Sequence, residues 1–69
     1  MAKVYRTEQS IRRIAEREDT TIEQKIEEMV AYIQDVSRYS YRNRYYATKF
    51  FMQWILQQNV RNIHVAELL

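Results

Sequence analysis

The sequence predicts an all-α fold, a small three-helix bundle that is completed by homodimerisation through its third helix. Glycine and proline are both absent from the 69 residues, so the chain lacks the two residues that most often interrupt helices. Apolar residues recur at helical spacing through the middle of the chain. Cysteine is absent as well, so disulfides cannot supplement the limited core of so short a domain. Oligomerisation is then the expected remedy.

The first predicted helix covers residues 8–18 and follows a lead-in over residues 1–6. Thr7 is its expected N-cap, because a threonine side chain accepts a hydrogen bond from an otherwise unpaired amide of the first turn. Ile11, Ile14 and Ala15 fall on one face of this helix. That face is expected to contact the core.

The second predicted helix covers residues 21–38. Thr20 with Glu23, or Thr21 with Gln24, has the spacing of a capping box, and both choices stay open. Apolar residues follow at intervals of four, three, four and three, which is typical of the buried face of a bundle helix. These residues are Ile22, Ile26, Met29, Ile33 and Val36.

The third predicted helix covers residues 44–58, after a turn between residues 38 and 43. In a chain without glycine, Asn43 is the expected left-handed or N-capping residue. The segment Phe50–Leu56 is apolar at six of its seven positions. A helix that is apolar on most sides must be buried on most sides, and two short helices cannot cover it. We therefore expect a dimer interface at Phe50, Phe51, Trp54 and Ile55.

The tail over residues 59–69 either continues the third helix or forms a short extended segment. Together with the helices it belongs to one predicted domain, residues 1–69. Its His64 is the only histidine of the chain, and catalysis needs a constellation of groups rather than one side chain. Phosphate loops and dinucleotide fingerprints need glycine. We therefore predict a protein that is not an enzyme and that uses no metal or cofactor.

The segment Ser37–Phe51, SRYSYRNRYYATKFF, holds four cations, four tyrosines and two phenylalanines, and no acid. Residues 1–35 carry six cations and eight acids, a net charge of −2, whereas residues 36–69 carry five cations and one acid, a net charge of +4. Cations neutralise phosphates, and aromatic rings stack on bases. The candidate nucleic-acid contacts, which we call the basic-aromatic surface, are Arg38, Tyr39, Tyr41, Arg42, Arg44, Tyr45 and Lys49.

The functional prediction is a small dimeric regulator that contacts nucleic acid, DNA or RNA, through the basic-aromatic surface. The alternative is an adaptor or inhibitor that binds a partner protein through the same surface, because tyrosine and arginine are both enriched at protein interfaces. No apolar run approaches the roughly 20 residues of a membrane span, and the first residues lack the apolar core of a signal peptide. A cytoplasmic location without membrane contact is therefore expected.

Overall fold

The computed structural model describes residues 6–58, which form three α-helices: α1 (Arg6–Glu16), α2 (Ile22–Val36) and α3 (Tyr41–Gln57). No strand occurs in this part of the chain. The prediction of a small all-α, three-helix bundle is confirmed. The predictions for residues 1–5 and for the tail over residues 59–69 lie outside the described residues. Homodimerisation stays a prediction.

Helix α1 begins at Arg6, so Thr7 lies inside its first turn and is buried. The prediction that Thr7 caps this helix is therefore wrong. The predicted core face is correct: Ile11 is fully buried, and Ile14 and Ala15 are half-buried against the core. The helix ends at Glu16, two residues before the predicted end.

The second of the two possible capping boxes begins α2. The amide of Gln24 donates to Thr21 Oγ1 at 3.1 Å, and the amide of Thr21 donates to Gln24 Oε1 at 2.9 Å. Thr20 is engaged elsewhere, because Lys25 Nζ donates to its carbonyl at 2.7 Å and to its hydroxyl at 2.9 Å. Both threonines therefore hold the start of α2, but Thr21 alone caps it.

The apolar face of α2 supplies half of one core that all three helices share. Of its five predicted members, four are buried, whereas Ile22, the first residue of the helix, is exposed. Val30 broadens the face and is half-buried. The buried apolar residues of the core are Ile11, Ile26, Met29, Ile33, Val36, Ala47, Phe51 and Ile55.

Helix α3 buries one stripe at a spacing of four residues, formed by Ala47, Phe51 and Ile55. Phe51 and Ile55 were predicted to form a subunit interface, but the core of the same chain already covers them. The physical reason is that α1 and α2 both pack on this one stripe. Phe50 and Trp54 are half-buried at its edge, so they are what remains of the predicted interface.

The other side of α3 is left to solvent, and Leu56 is 81% exposed there. Within one chain, α1 and α2 therefore leave part of the apolar surface of α3 uncovered. Within residues 6–58, no helix combines the length and apolarity that crossing a membrane requires.

Candidate nucleic-acid interface

The turn Ser37–Ser40 joins α2 to α3 without glycine. The backbone amides of its first and last residues each donate at 3.0 Å, to the carbonyls of Ile33 and Val36 respectively. Ser37 has φ −63° and ψ −20°, which is right-handed helical backbone open to any residue. These bonds satisfy carbonyls at the end of α2, so the turn is compact and places the next helix directly after it.

Ser40 is the N-cap of α3. Its backbone is extended (φ −156°, ψ 115°), and its Oγ accepts a hydrogen bond from the Asn43 amide at 3.1 Å. The helix therefore begins at Tyr41, three residues before the predicted start, and the prediction of Asn43 as the turn or capping residue is wrong. The physical reason is local, because a serine hydroxyl reaches the amide three residues on and so caps the earlier position.

The corrected start of α3 moves most of the basic-aromatic surface from a turn onto a helix. Arg38 and Tyr39 lie in the turn, and the other five residues of the surface project from α3. All seven side chains of the surface are exposed. The exposed fractions of Tyr39, Tyr41 and Tyr45 are 68%, 84% and 60%, which leaves ring faces available for stacking.

Helical geometry places the cations of α3 on different sides of the helix. Arg42 and Arg44 lie in the first turn of α3, directly after the turn that carries Arg38. Lys49 is seven residues after Arg42, which places it about 10 Å further along the helix axis. It lines a shallow groove with Glu8 of α1 and with Phe50. Arg42 and Lys49 therefore lie on one side of α3, and Arg44, two residues after Arg42, lies on another.

No carboxylate within residues 6–58 forms an ion pair with a cation of the basic-aromatic surface. The ion pairs of this part of the chain lie in α1, the α1–α2 loop and α2, where Arg12 pairs with Glu8 and Arg17 pairs with both Asp19 and Glu28. In the sequence no acid occurs between Asp35 and Glu67. The positive charge at the start of α3 is therefore not neutralised by neighbouring acids of the described chain.

The start of α3 is electrostatically unfavourable in the free protein. The N-terminus of a helix carries a partial positive charge, which favours acids in the first turn and disfavours cations. The first turn of α3 has no acid and carries Arg42 and Arg44 instead. A bound anion would relieve this repulsion, because the helix end and both guanidinium groups attract negative charge.

A groove beside the basic-aromatic surface contains residues that the sequence did not single out. It runs between α2 and α3 and is lined by Ile33, Gln34, Ser37, Arg44 and Thr48. Gln34 lies outside the apolar face of α2 and is exposed. One feature of the sequence does point to this groove: Arg44 and Thr48 are four residues apart, so they lie on the same side of α3.

Residues 6–58 contain no cluster of three or more histidine or acidic side chains that could hold a metal ion.

Comparison of the chain with models of known families, with curated proteins and with solved structures found no significant match.

Proposed function

We propose that this chain is a non-catalytic cytoplasmic regulator that acts as a dimer and binds nucleic acid through the basic-aromatic surface. The observation that carries the proposal is the start of α3, where Arg42 and Arg44 occupy a first turn without acids and no carboxylate of residues 6–58 pairs with them. Phosphates are the anions best suited to such a site, because arginine binds them through two parallel hydrogen bonds.

The exposed tyrosines extend the proposal from phosphate to nucleic acid. Tyr39, Tyr41 and Tyr45 surround the same helix start, so a strand whose phosphates lie on the arginines has rings within reach of its bases. Stacking on aromatic rings adds affinity without requiring a fixed sequence, since every base has a π-face. The proposed mode of binding is therefore phosphate neutralisation at the helix start together with stacking on the flanking rings.

The test replaces Arg42 and Arg44 by glutamine and measures binding of fluorescein-labelled single- and double-stranded DNA and RNA by anisotropy. We expect the wild-type affinity to fall steeply as salt rises from about 50 to about 300 mM, because binding releases counterions. The double variant should bind roughly tenfold or more weakly at low salt. Its plot of log affinity against log salt should be shallower by about 1.4, the contribution of two phosphate contacts on a single strand.

The matched control replaces Arg6 and Arg13 of α1 by glutamine as well. Both are exposed arginines that form no ion pair within residues 6–58. Both double variants lower the net charge from +2 to 0, since each removes two positive charges. Equal loss of binding in the two variants would mean that overall charge, and not this site, attracts nucleic acid. Failure of the wild-type chain to bind at low salt would overturn the proposed function.

Dimerisation is proposed through Phe50 and Trp54 of α3. Both are half-buried against the core, and together with Gln53 and Gln57 they line a shallow groove on the outside of the helix. A second copy that covers these rings would add apolar burial to a chain of only 69 residues, whose own core is small.

Binding of a partner protein is the second candidate function, and one observation favours it. Tyr41, Tyr45, Met52 and Leu56 are all exposed and are spaced by four, seven and four residues. This spacing puts them in one stripe along α3. A protein docked on that stripe would depend on Leu56 and would tolerate the Arg42→Gln/Arg44→Gln change, so the same variant separates the two functions.

A further inference from the structure

The groove between α2 and α3 has the composition of a site for a small planar polar group. Its volume is about 390 Å³, within the roughly 300–1,000 Å³ of small-molecule sites. Ile33, which is 4% exposed, lies at the floor of the groove, and Gln34, Ser37, Arg44 and Thr48 line it with polar groups and the aliphatic parts of their side chains. An apolar surface beside several hydrogen-bonding groups complements a flat ring whose edge carries donors and acceptors.

The polar groups of the groove are free to serve a ligand. Within residues 6–58 neither the Gln34 amide nor the Thr48 hydroxyl forms a side-chain hydrogen bond. Ser37 Oγ donates to the Ile33 carbonyl at 2.6 Å, which uses its proton and leaves its lone pairs to accept. The groove therefore offers a donor and an acceptor from the amide, an acceptor from Ser37 and either from Thr48.

The groove and the basic-aromatic surface share Arg44. Tyr41 lies three residues before Arg44 and seven before Thr48, so all three lie on the same side of α3. A strand held by its phosphates at the start of the helix would thus pass the mouth of the groove. Its base would have the polar groove on one side and the exposed ring of Tyr41 next to it.

We propose that this groove holds one unpaired nucleobase, and that the protein therefore prefers single-stranded over double-stranded nucleic acid. The inference rests on the proposed nucleic-acid function and adds the part of the ligand that is recognised. A base within a duplex is stacked and paired, so its faces and edge cannot enter a groove unless it is extruded. Single strands present such bases without that cost.

The test removes the hydrogen-bonding groups of the groove without changing charge, in the variant Gln34→Met/Thr48→Val. Labelled single strands of about 12 nucleotides, their duplexes and an abasic single strand of the same length are titrated, in DNA and RNA forms where both exist. We expect the wild type to bind base-bearing single strands more tightly than duplexes. The variant should lose about fivefold or more on base-bearing single strands, with duplex affinity and salt dependence unchanged.

The abasic strand separates base recognition from phosphate binding, because it keeps the phosphates and lacks the bases. Wild type and Gln34→Met/Thr48→Val should bind it equally, whereas an equal loss on abasic and base-bearing strands would overturn the inference. The matched control is Gln9→Met/Ser10→Ala, which removes an amide and a hydroxyl from α1 and should bind as the wild type does. Comparison of the titrations with DNA and with RNA shows which of the two nucleic acids supplies the base.

Failure of this inference is distinguishable from failure of the proposed function. If Arg42→Gln/Arg44→Gln weakens binding but Gln34→Met/Thr48→Val leaves the ratio of single-strand to duplex affinity unchanged, the groove is not a base site and phosphate binding stands. If the wild type binds none of the strands at low salt, the proposed function and this inference are both overturned.

Discussion

Arg17 is the side chain that ties the α1–α2 loop to the rest of the bundle. Its Nε and Nη2 donate to the two carboxylate oxygens of Asp19, each at 3.1 Å, and its Nη1 donates to Glu28 Oε1 of α2 at 3.1 Å. The hydrogen bond and the charge of Arg17 lower the pKa of Asp19 below its ordinary value of 3.8. The paired arrangement orders a loop that has no glycine and no proline.

The lowered pKa of Asp19 predicts a pH-dependent contribution to stability. Because the pKa is lower in the folded than in the unfolded chain, the contribution is complete above 3.8 and is lost as the pH falls through the folded value. We expect Asp19→Asn to lose less stability than the wild type between about pH 6 and about pH 3. Urea unfolding followed by Trp54 fluorescence measures this difference.

Asp35→Asn is the control for that experiment, since it removes one exposed acid that forms no ion pair within residues 6–58. If the wild type and Asp19→Asn lose stability in parallel across the same pH range, the result contradicts the role given to the Arg17–Asp19 pair.

Hydroxyl caps start two of the helices in this glycine-free chain. Thr21 begins α2 through a capping box, and Ser40 begins α3 through one hydrogen bond to Asn43. The Ser40 cap sets where α3 starts and so which side chains surround the positive end of that helix. The same cap holds a first turn that Arg42 and Arg44 make less stable.

Substitution of Ser40 should separate capping from binding. Ser40→Ala should lower the free energy of unfolding by about 1 kcal/mol, because the Asn43 amide loses its acceptor. Ser40→Asp should restore stability, since aspartate caps well and its charge suits the helix end. It should nevertheless weaken nucleic-acid binding, because it places a negative charge beside Arg42 and Arg44. Urea unfolding and anisotropy measure the two effects.

Ser10→Ala is the matched control for this pair, because Ser10 lies inside α1 and alanine is the stronger helix former there. Its stability should equal or slightly exceed that of the wild type. Stability of Ser40→Ala equal to that of Ser10→Ala would show that the cap contributes nothing.

At the scale of the whole molecule, the ion pairs of residues 6–58 lie in α1, the first loop and α2, whereas the arginines at the start of α3 pair with no acid of this range. One small core holds both regions together, and a chain of 8.5 kDa gains little margin from such a core. Dimerisation through the edge of α3 is the proposed supplement.

The dimer predicts a solution mass of twice 8.5 kDa in sedimentation equilibrium and an unfolding midpoint that rises with protein concentration. Phe50→Gln should shift the mass toward the monomer, because it removes one of the two proposed interface rings. Leu56→Gln, on the exposed side of the same helix, is the control and should leave the mass unchanged. A wild-type mass of 8.5 kDa at every concentration would rule the dimer out.

Local patterns were enough to predict the three helices, the core face of α1 and most of the core face of α2. The start of α3 is also local information, since the Ser40 side chain caps it. Asn43 was predicted there instead because asparagine tolerates the left-handed backbone that glycine usually supplies in a turn. Helix periodicity and capping act over three or four residues, which is why such features can be read along the chain.

The amino-acid sequence by itself determined the helical class and the concentration of cations and tyrosines in one segment. The tertiary structure decided which apolar side chains of α3 are covered, because burial of Phe51 and Ile55 rather than Leu56 depends on where α1 and α2 pack. It also created the groove in which Gln34 and Thr48 meet. These two residues belong to different helices, and no periodicity within either helix specifies a contact made by packing one against the other.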